Sequence, residues 1–206
     1  MHPEAITSKQ KKIFDKLKYF PDYYLVGGTA LALQIGHRIS IDFDLFSEKE
    51  IPPTLFSKIK RIFKNSKIEV IVDHPEQLTV NIDNVGLTFV KYSFLPILKF
   101  KKYKRIKLLS IPEIAATKAY SLGRRATLKD YVDLYYILKE KYLTLLKLLE
   151  ITKRKYRKDF DPRLFLEQLI YLKDVEDVKI QFLKKKVSKE KIEKFFQYQV
   201  QKIKLQ

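Results

Sequence analysis

Two acidic residues separated by one phenylalanine, Asp42-Phe43-Asp44, offer the first candidate chemistry. In a β-strand, residues i and i+2 point to the same face, so this spacing predicts two neighbouring carboxylates with Phe43 pointing into the core. Carboxylates this close repel each other unless a cation lies between them. Magnesium is held by one or two carboxylates together with phosphate oxygens, so the pair predicts a magnesium site. A plain alternation on a solvated strand face is the alternative.

The segment Gly27-Gly28-Thr29 lies between a short apolar stretch and a helical pattern. Two glycines let the backbone turn tightly and approach a ligand closely. The N–H groups at the start of the following helix favour a phosphate, and the Thr29 hydroxyl would add one more donor. The sequence therefore predicts a phosphate site here, although a Gly-Gly pair before a helix is also a common plain turn.

The order of these two motifs resembles the polymerase-β-like nucleotidyltransferase superfamily. One branch is closer: the stretches Leu25-Val-Gly-Gly-Thr-Ala-Leu-Ala-Leu33 and Gly36-His-Arg-Ile-Ser-Ile-Asp-Phe-Asp-Leu-Phe46 are similar to the motifs of the AbiEii/AbiGii toxin-like nucleotidyltransferase family. Later segments also fit this family, namely Ile114-Ala-Ala-Thr-Lys118, Arg125 and Lys129-Asp-Tyr-Val-Asp-Leu134. The resemblance covers most of the chain.

The resemblance implies an N-terminal nucleotidyltransferase domain that binds a nucleoside triphosphate (NTP), followed by C-terminal helices. The family includes toxins of bacterial toxin–antitoxin and phage-abortive systems, and some members add nucleotides to tRNA. The expected activity is therefore magnesium-dependent transfer of a nucleotide from an NTP to an RNA acceptor, tRNA first. An antitoxin protein is the expected protein partner.

Three further residues match the family's motifs in the second half of the chain. Lys118 would hold the triphosphate as a point charge, unless it is one surface lysine among many. Arg125 would clamp a phosphate through two hydrogen bonds, or it is a loop arginine beside Arg124. Asp130 would pair with Lys118 or act as a base, or it only favours the first turn of a helix. Asp133 lies one turn later on the same face.

One position departs from the superfamily pattern. Polymerase-β-like enzymes carry a third carboxylate on a later strand, whereas the candidate strand here, 87–94, has Lys91 and Ser93 and no acid. Either Asp130 replaces this acid, or catalysis is weak, or the chain is a catalytically silent protein that binds NTP and nucleic acid. A further alternative is an interaction protein whose helical half docks a partner antitoxin.

Strand patterns cluster early in the chain and helix patterns late, which predicts an α+β protein. We expect a mixed sheet with flanking helices over residues 1–109, the nucleotidyltransferase domain. A helical bundle over 110–206 is expected to cover the site and to supply Lys118, Arg125 and Asp130. Helices are predicted at 8–20, 111–122, 128–140, 142–150, 162–173 and 188–203. Residues 97–107 are interpreted as a basic bridge, and Ser110-Ile-Pro-Glu113 as a capping box.

Charge is distributed unevenly along this chain of net charge +18. Residues 1–96 hold 13 basic and 11 acidic residues, whereas 97–206 hold 29 and 13. The excess of +16 in the second half favours a polyanion partner there, nucleic acid first. A lysine-rich solvated surface is the alternative.

Composition excludes several classes of protein. The chain has no cysteine, which excludes disulfides, thiolate metal sites and cysteine nucleophiles. Its hydrophobic content of 46% is enough to build a core. No apolar run approaches the length of a membrane span, and the polar N-terminus is unlike a signal peptide. We therefore predict a cytoplasmic protein without a membrane partner.

Overall fold

The computed structural model describes residues 1–204 of the 206-residue chain. The chain separates into two compact units, and each is treated by itself. The first unit comprises residues 1–95 and 99–109, and the second comprises 96–98 and the chain from Ser110 onward. No helix of residues 1–204 is both long enough and apolar enough to cross a bilayer.

The first unit contains a mixed sheet, which has seven strands within the described chain, in the order β3-β4-β5-β2-β1-β7-β6. Strand β2 pairs antiparallel with β1 and parallel with β5, while β1 pairs parallel with β7. The mixed sheet with flanking helices agrees with the predicted fold class. In chain order the strands are β1 (Tyr24–Val26), β2 (Phe43–Ser47), β3 (Ile68–His74), β4 (Gln77–Ile82), β5 (Val85–Lys91), β6 (Lys101–Tyr103) and β7 (Ile106–Leu108).

Alternation along β2 decides which side chains enter the core. Phe43 and Leu45 are buried, whereas Asp44 and Phe46 between them are partly exposed. This is the pattern of a strand with one face on the core. Phe43 therefore points inward, as its position between two acids predicts.

Three helices belong to the first unit: α1 (Ser8–Phe14), α2 (Gly27–Ile35) and α3 (Leu55–Ile62). The single helix predicted over 8–20 is wrong, because α1 ends at Phe14 and a separate 3₁₀ turn covers Leu17–Tyr19. Phe14, Leu17 and Phe20 are each only 2% exposed. A spacing of three residues matches the period of a 3₁₀ helix and brings these three side chains to the same buried side.

The basic bridge predicted over 97–107 is also wrong from Lys101 onward. Strands β6 and β7 form an antiparallel hairpin there, and its turn residues Lys104 and Arg105 both have positive φ, +48° and +66°. Ile106 and Leu108 are buried on either side of Lys107. This period of two is a strand signal, which the abundance of lysine obscured.

The helices of the second unit are α4 (Ile111–Leu122), α5 (Leu128–Lys139), α6 (Leu145–Tyr156), α7 (Pro162–Leu169) and α8 (Lys189–Lys204). Three predicted boundaries are wrong by three residues or more. Helix α6 ends at Tyr156 rather than at 150. Helix α6 begins at Leu145 rather than at 142, because the Thr144 hydroxyl caps it by accepting from the Lys147 N–H. Helix α7 ends at Leu169 rather than at 173.

The capping box predicted at Ser110 does not form. Ser110 precedes α4, but its side chain makes no capping hydrogen bond. The Glu113 carboxylate instead accepts from the N–H groups of Ile97 and Leu98 at 2.6 and 2.8 Å. It also pairs with Lys155 Nζ at 2.6 Å, and both side chains are 1% exposed. Glu113 therefore holds the 96–98 segment and α6 against α4 instead of closing the helix end.

Candidate active site

The chain turns from β1 into α2 through two glycines. Gly27 has φ +67°, a left-handed conformation that side-chain-bearing residues rarely adopt. The preceding residue is Val26, whose side chain cannot accept a hydrogen bond, so the first N–H groups of α2 have no side-chain cap. Such a helix start favours an anion.

Asp44 lies directly against this turn. Strand register places Asp44 opposite Val26, the residue before the glycines. A Cβ atom placed on Gly27 would lie 2.8 Å from Oδ2 of Asp44, so only glycine leaves room for the carboxylate. The structure thus brings one predicted carboxylate to the predicted phosphate turn within a single unit.

Asp42 contacts the neighbouring strand β5. Phe43 is in register with Leu87, and the Gly86 N–H donates to Oδ1 of Asp42 at 3.2 Å. A Cβ atom on Gly86 would lie 2.7 Å from the same oxygen. Gly86 therefore makes space for Asp42 and orients it, while the side chain of Asp42 stays exposed.

Thr29 has a different role from the predicted one. Its side chain is 1% exposed, and its hydroxyl donates to the backbone carbonyl of Asp42. The Ser40 hydroxyl lies 2.8 Å away and shares this hydrogen-bond network. Because its single proton is used inside the protein, Thr29 positions the Asp42 backbone rather than presenting a free donor to phosphate.

A buried arginine flanks the second glycine. Arg38 is 4% exposed, and a Cβ atom on Gly28 would lie 2.5 Å from its Nη2. The guanidinium and the Asp44 carboxylate therefore each lie against one of two adjacent glycines. The positive charge offsets part of the repulsion that two neighbouring carboxylates create.

Strand register identifies where a third acid would stand. The β5 residues beside Asp42 and Asp44 are Gly86 and Thr88, and neither is acidic. The Thr88 hydroxyl lies 3.3 Å from that of Thr79 on β4. The sequence had directed attention to Lys91 and Ser93, but Lys91 pairs with two glutamates and Ser93 lies beyond the end of β5.

Two carboxylates suit magnesium only when further oxygens come from elsewhere. Among residues 1–204, no group of three or more histidine or acidic side chains is placed to hold a metal. Magnesium commonly takes one or two carboxylates and completes its octahedron with water and substrate phosphates. Asp42 and Asp44 beside the glycine turn fit that donor set.

A separate charged cluster lies in the second unit. Lys118 on α4 contacts Oδ1 of Asp130 at 2.7 Å and Oδ2 of Asp133 at 2.6 Å, both on α5. The side chains are 8%, 15% and 0% exposed in that order. Thr127 Oγ1 donates to the other oxygen of Asp130 at 2.8 Å. Lys118 is therefore fixed between two carboxylates, a pairing that the spacing along α5 had left open.

Arg124 and Arg125 differ in their surroundings. The Arg124 guanidinium stacks 3.7 Å from the Tyr120 ring centroid and donates to the Tyr120 and Asp159 carbonyls. Arg125 is exposed in the loop between α4 and α5. Arg125 is thus the arginine whose guanidinium is available to a ligand, and its predicted phosphate contact stays a prediction.

Two contributors to the site were missed from the sequence. Gly86 was not among the predicted site residues, although a glycine inside an alternating strand signals close backbone approach. Gln10 on α1 donates from Nε2 to the Ser40 and Ile41 carbonyls, each at 2.6 Å, and so anchors the segment before Asp42. No local pattern identifies this contact, because the partners are about 30 residues apart.

Comparison with known proteins places the fold in one family. The profile of the nucleotidyl transferase AbiEii toxins of type IV toxin–antitoxin systems matches residues 12–204. The protein aq_aa25 of Aquifex aeolicus is 31% identical over 159 residues, which span 76% of each chain.

Two solved structures share the fold at low sequence identity. JHP933 from Helicobacter pylori has a TM-score of 0.54 at 16% identity and covers 97% of this chain and 98% of its own. The nucleotidyltransferase toxin MenT4 (Rv2826c) from Mycobacterium tuberculosis has a TM-score of 0.58 at 12% identity, covering 93% and 82%. With the family profile matched over nearly the whole chain, this protein belongs to the AbiEii family of nucleotidyltransferase toxins.

Proposed function

We propose that this nucleotidyltransferase moves a nucleotide from an NTP to the end of an RNA acceptor, tRNA first, as the toxin of a toxin–antitoxin pair. The observation that carries the proposal is the contact between the Asp44 carboxylate and the Gly27 turn. It brings a metal ligand and an anion-binding helix start to one place, which an NTP with magnesium requires.

In this proposal, the site residues of the first unit have distinct roles. The N–H groups at the start of α2 bind triphosphate oxygens, helped by the helix dipole. Asp42 and Asp44 would hold magnesium, which when bound supplies positive charge at those oxygens. Gly86 and Thr29 keep Asp42 in place through its side chain and its backbone.

The proposed transfer conserves atoms and charge in a simple way. A hydroxyl at the RNA end attacks the α-phosphate, the bond to the β-phosphate breaks, and pyrophosphate leaves. The hydroxyl proton goes to a carboxylate or to water. The roles of Lys118, Arg125 and Asp130 toward the nucleotide stay predictions, as do the helical bundle, an antitoxin partner and a cytoplasmic location.

A catalytically silent binding protein is the second candidate. The observation in its favour is that Gly86 and Thr88, beside the carboxylate pair, provide no third acid. Such a protein would still bind NTP and nucleic acid through the same glycine turn and basic surfaces.

Incubation with each labelled NTP, total RNA and magnesium separates the two candidates. The enzyme is expected to label RNA with one or more NTPs, and Asp44→Asn is expected to lose the labelling while the chain stays folded. Asp73→Asn is the matched control, because Asp73 is an exposed acid on β3 and labelling is expected to persist. NTP binding without any labelling by the wild type would favour the silent protein, and full labelling by Asp44→Asn would refute the assigned site.

A further inference from the structure

A broad basic groove crosses the first unit beside α1. Its volume is about 790 Å³, and its floor contains the apolar side chains of Ile13 and Phe63. We call it the Tyr19 groove and define it by its cationic and aromatic lining residues, Lys9, Lys12, Lys16, Lys18, Lys67 and Tyr19. The sequence had directed polyanion binding to the second half of the chain, so this surface was not predicted.

The acidic residues in the groove are already engaged. Asp15 pairs with Lys104 at 3.0 Å and Glu69 with Lys67 at 2.6 Å. Asp83 accepts from the Lys67 N–H at 3.0 Å. Hydrogen bonds lower the pKa of the Asp83 carboxyl, and the positive charges of Lys9 and Lys12 lower it further, so these two lysines also face an acid. The five lysines of the lining still outnumber its three acidic residues, and this net positive charge favours an anionic ligand.

Tyr19 stands between this groove and a second hollow. The second hollow has a volume of about 440 Å³ and shares Lys16 and Tyr19 with the first, adding Lys58 and Arg61. The Tyr19 side chain is 51% exposed, although an aromatic ring of this size normally gains from burial. Lys18 Nζ lies over this ring, 5.2 Å from its centroid. A nucleobase would stack on the other face of the ring while its phosphates meet the neighbouring cations.

The groove also offers uncharged hydrogen-bonding groups. Ser66, Asn81 and Asn84 lie among its lining residues, and amides of this kind both donate and accept. An acidic protein segment would be satisfied by the lysines alone. The combination of amides, lysines and an exposed ring instead favours single-stranded nucleic acid.

Both walls of the groove connect to the candidate catalytic carboxylates. Helix α1 carries Lys9 and Lys12, and its Gln10 is bonded to the carbonyls of Ser40 and Ile41, directly before Asp42. On the other wall, Asn84 is two residues before Gly86, whose N–H donates to Asp42. A single-stranded RNA that lies in the groove would thus approach Asp42 and Asp44 at one end of the groove.

From this arrangement we infer that the Tyr19 groove binds the single-stranded end of the RNA acceptor, with Tyr19 stacking on a base and Lys9 and Lys12 contacting phosphates. The inference rests on the proposed function, since it names the path of that acceptor. It assigns the acceptor to the first unit.

The test measures binding of the full chain to a fluorescein-labelled single-stranded RNA 12-mer at several salt concentrations, without NTP. Lys9→Gln/Lys12→Gln is expected to make the slope of log affinity against log salt shallower by about 1.4, since each single-strand phosphate contact contributes about 0.7. Tyr19→Ala is expected to weaken binding about 5- to 150-fold, whereas Tyr19→Phe keeps it. Lys191→Gln/Lys194→Gln is the matched control, because these exposed lysines of α8 have the same spacing of three.

The outcomes separate the groove from the proposed reaction. An unchanged salt slope for Lys9→Gln/Lys12→Gln, or an unchanged affinity for Tyr19→Ala, would overturn the groove while leaving NTP-dependent labelling of RNA intact. Competition by polyglutamate that depends on Lys9 and Lys12 but not on Tyr19 would assign the surface to an acidic protein instead. Asp44→Asn is expected to keep RNA binding. A wild-type chain that binds RNA normally but transfers no nucleotide would count against the proposed function and support the groove.

Discussion

Replacement of Gly27 by alanine perturbs the glycine turn at its tightest point. Gly27 has φ +67°, and a left-handed conformation costs a residue with a Cβ about 1–2 kcal/mol. The added methyl group would lie 2.8 Å from Oδ2 of Asp44, whereas ordinary contact begins at 3.4 Å. Asp44 must therefore move by about half an ångström, a shift that geometry-sensitive sites do not tolerate well.

Two measurements follow from this geometry. The melting temperature of Gly27→Ala is expected to fall by about 2–8 °C, since 1 kcal/mol corresponds to about 2–4 °C in a chain of this size. Calorimetric titration with NTP and magnesium is expected to show binding weakened about tenfold or more.

Gly123→Ala supplies the matched control. Gly123 has φ −68°, and a Cβ atom there would meet its nearest neighbours at 3.9 and 4.0 Å. Alanine at a compatible position stabilises a protein by about 0.4–1 kcal/mol, so the melting temperature should hold or rise. If both variants melt alike and bind NTP alike, the assigned contact between Gly27 and Asp44 is wrong.

Three further predictions concern the second unit. Burial raises the pKa of Tyr131 to about 12, so the folded state keeps a proton that the unfolded chain releases near pH 10. The free energy of unfolding should therefore fall as pH rises from 10 through 12. In urea unfolding, this fall should be shallower for Tyr131→Phe than for the wild type. An equally steep fall in both would contradict burial of Tyr131 as the cause. Glu113→Gln leaves Lys155 buried without its anion and should cost about 3–5 kcal/mol; addition of Lys155→Met should recover much of that loss in urea unfolding, and a cost below about 1 kcal/mol would show that the pair is unimportant. Asp130→Asn should abolish RNA labelling by NTP with a nearly unchanged melting temperature, because Asp133 still contacts Lys118; equal labelling would place the base elsewhere.

Short-range patterns in the sequence determined the elements that carry the candidate site. The glycine pair between an apolar stretch and a helical pattern marked the turn from β1 into α2. The period of two around Phe43 predicted two carboxylates on one strand, because side chains alternate in a strand whatever its neighbours are. Family motifs over most of the chain added the fold class and the nucleotidyltransferase identity.

The predicted bounds of helices and strands were wrong where two local signals in the sequence competed. The helix predicted over 8–20 breaks because core spacing at Phe14, Leu17 and Phe20 follows a period of three rather than 3.6. Lysines concealed the hairpin of β6 and β7. Ser110 and Glu113 match the sequence pattern of a capping box. The buried ion pair of Glu113 with Lys155 on α6 nevertheless forms instead, because water can replace a hydrogen bond at a helix end.

Only the tertiary structure decided which distant groups meet. Strand register brought Asp44 to Gly27 and Gly86 to Asp42, and it identified Thr88 rather than Ser93 as the residue beside the carboxylate pair. The Thr29 hydroxyl looks like a phosphate donor in the sequence, but folding buries it against the Asp42 carbonyl. These outcomes depend on pairing and packing between segments far apart in the chain, whereas a sequence pattern records only the preferences of neighbouring residues.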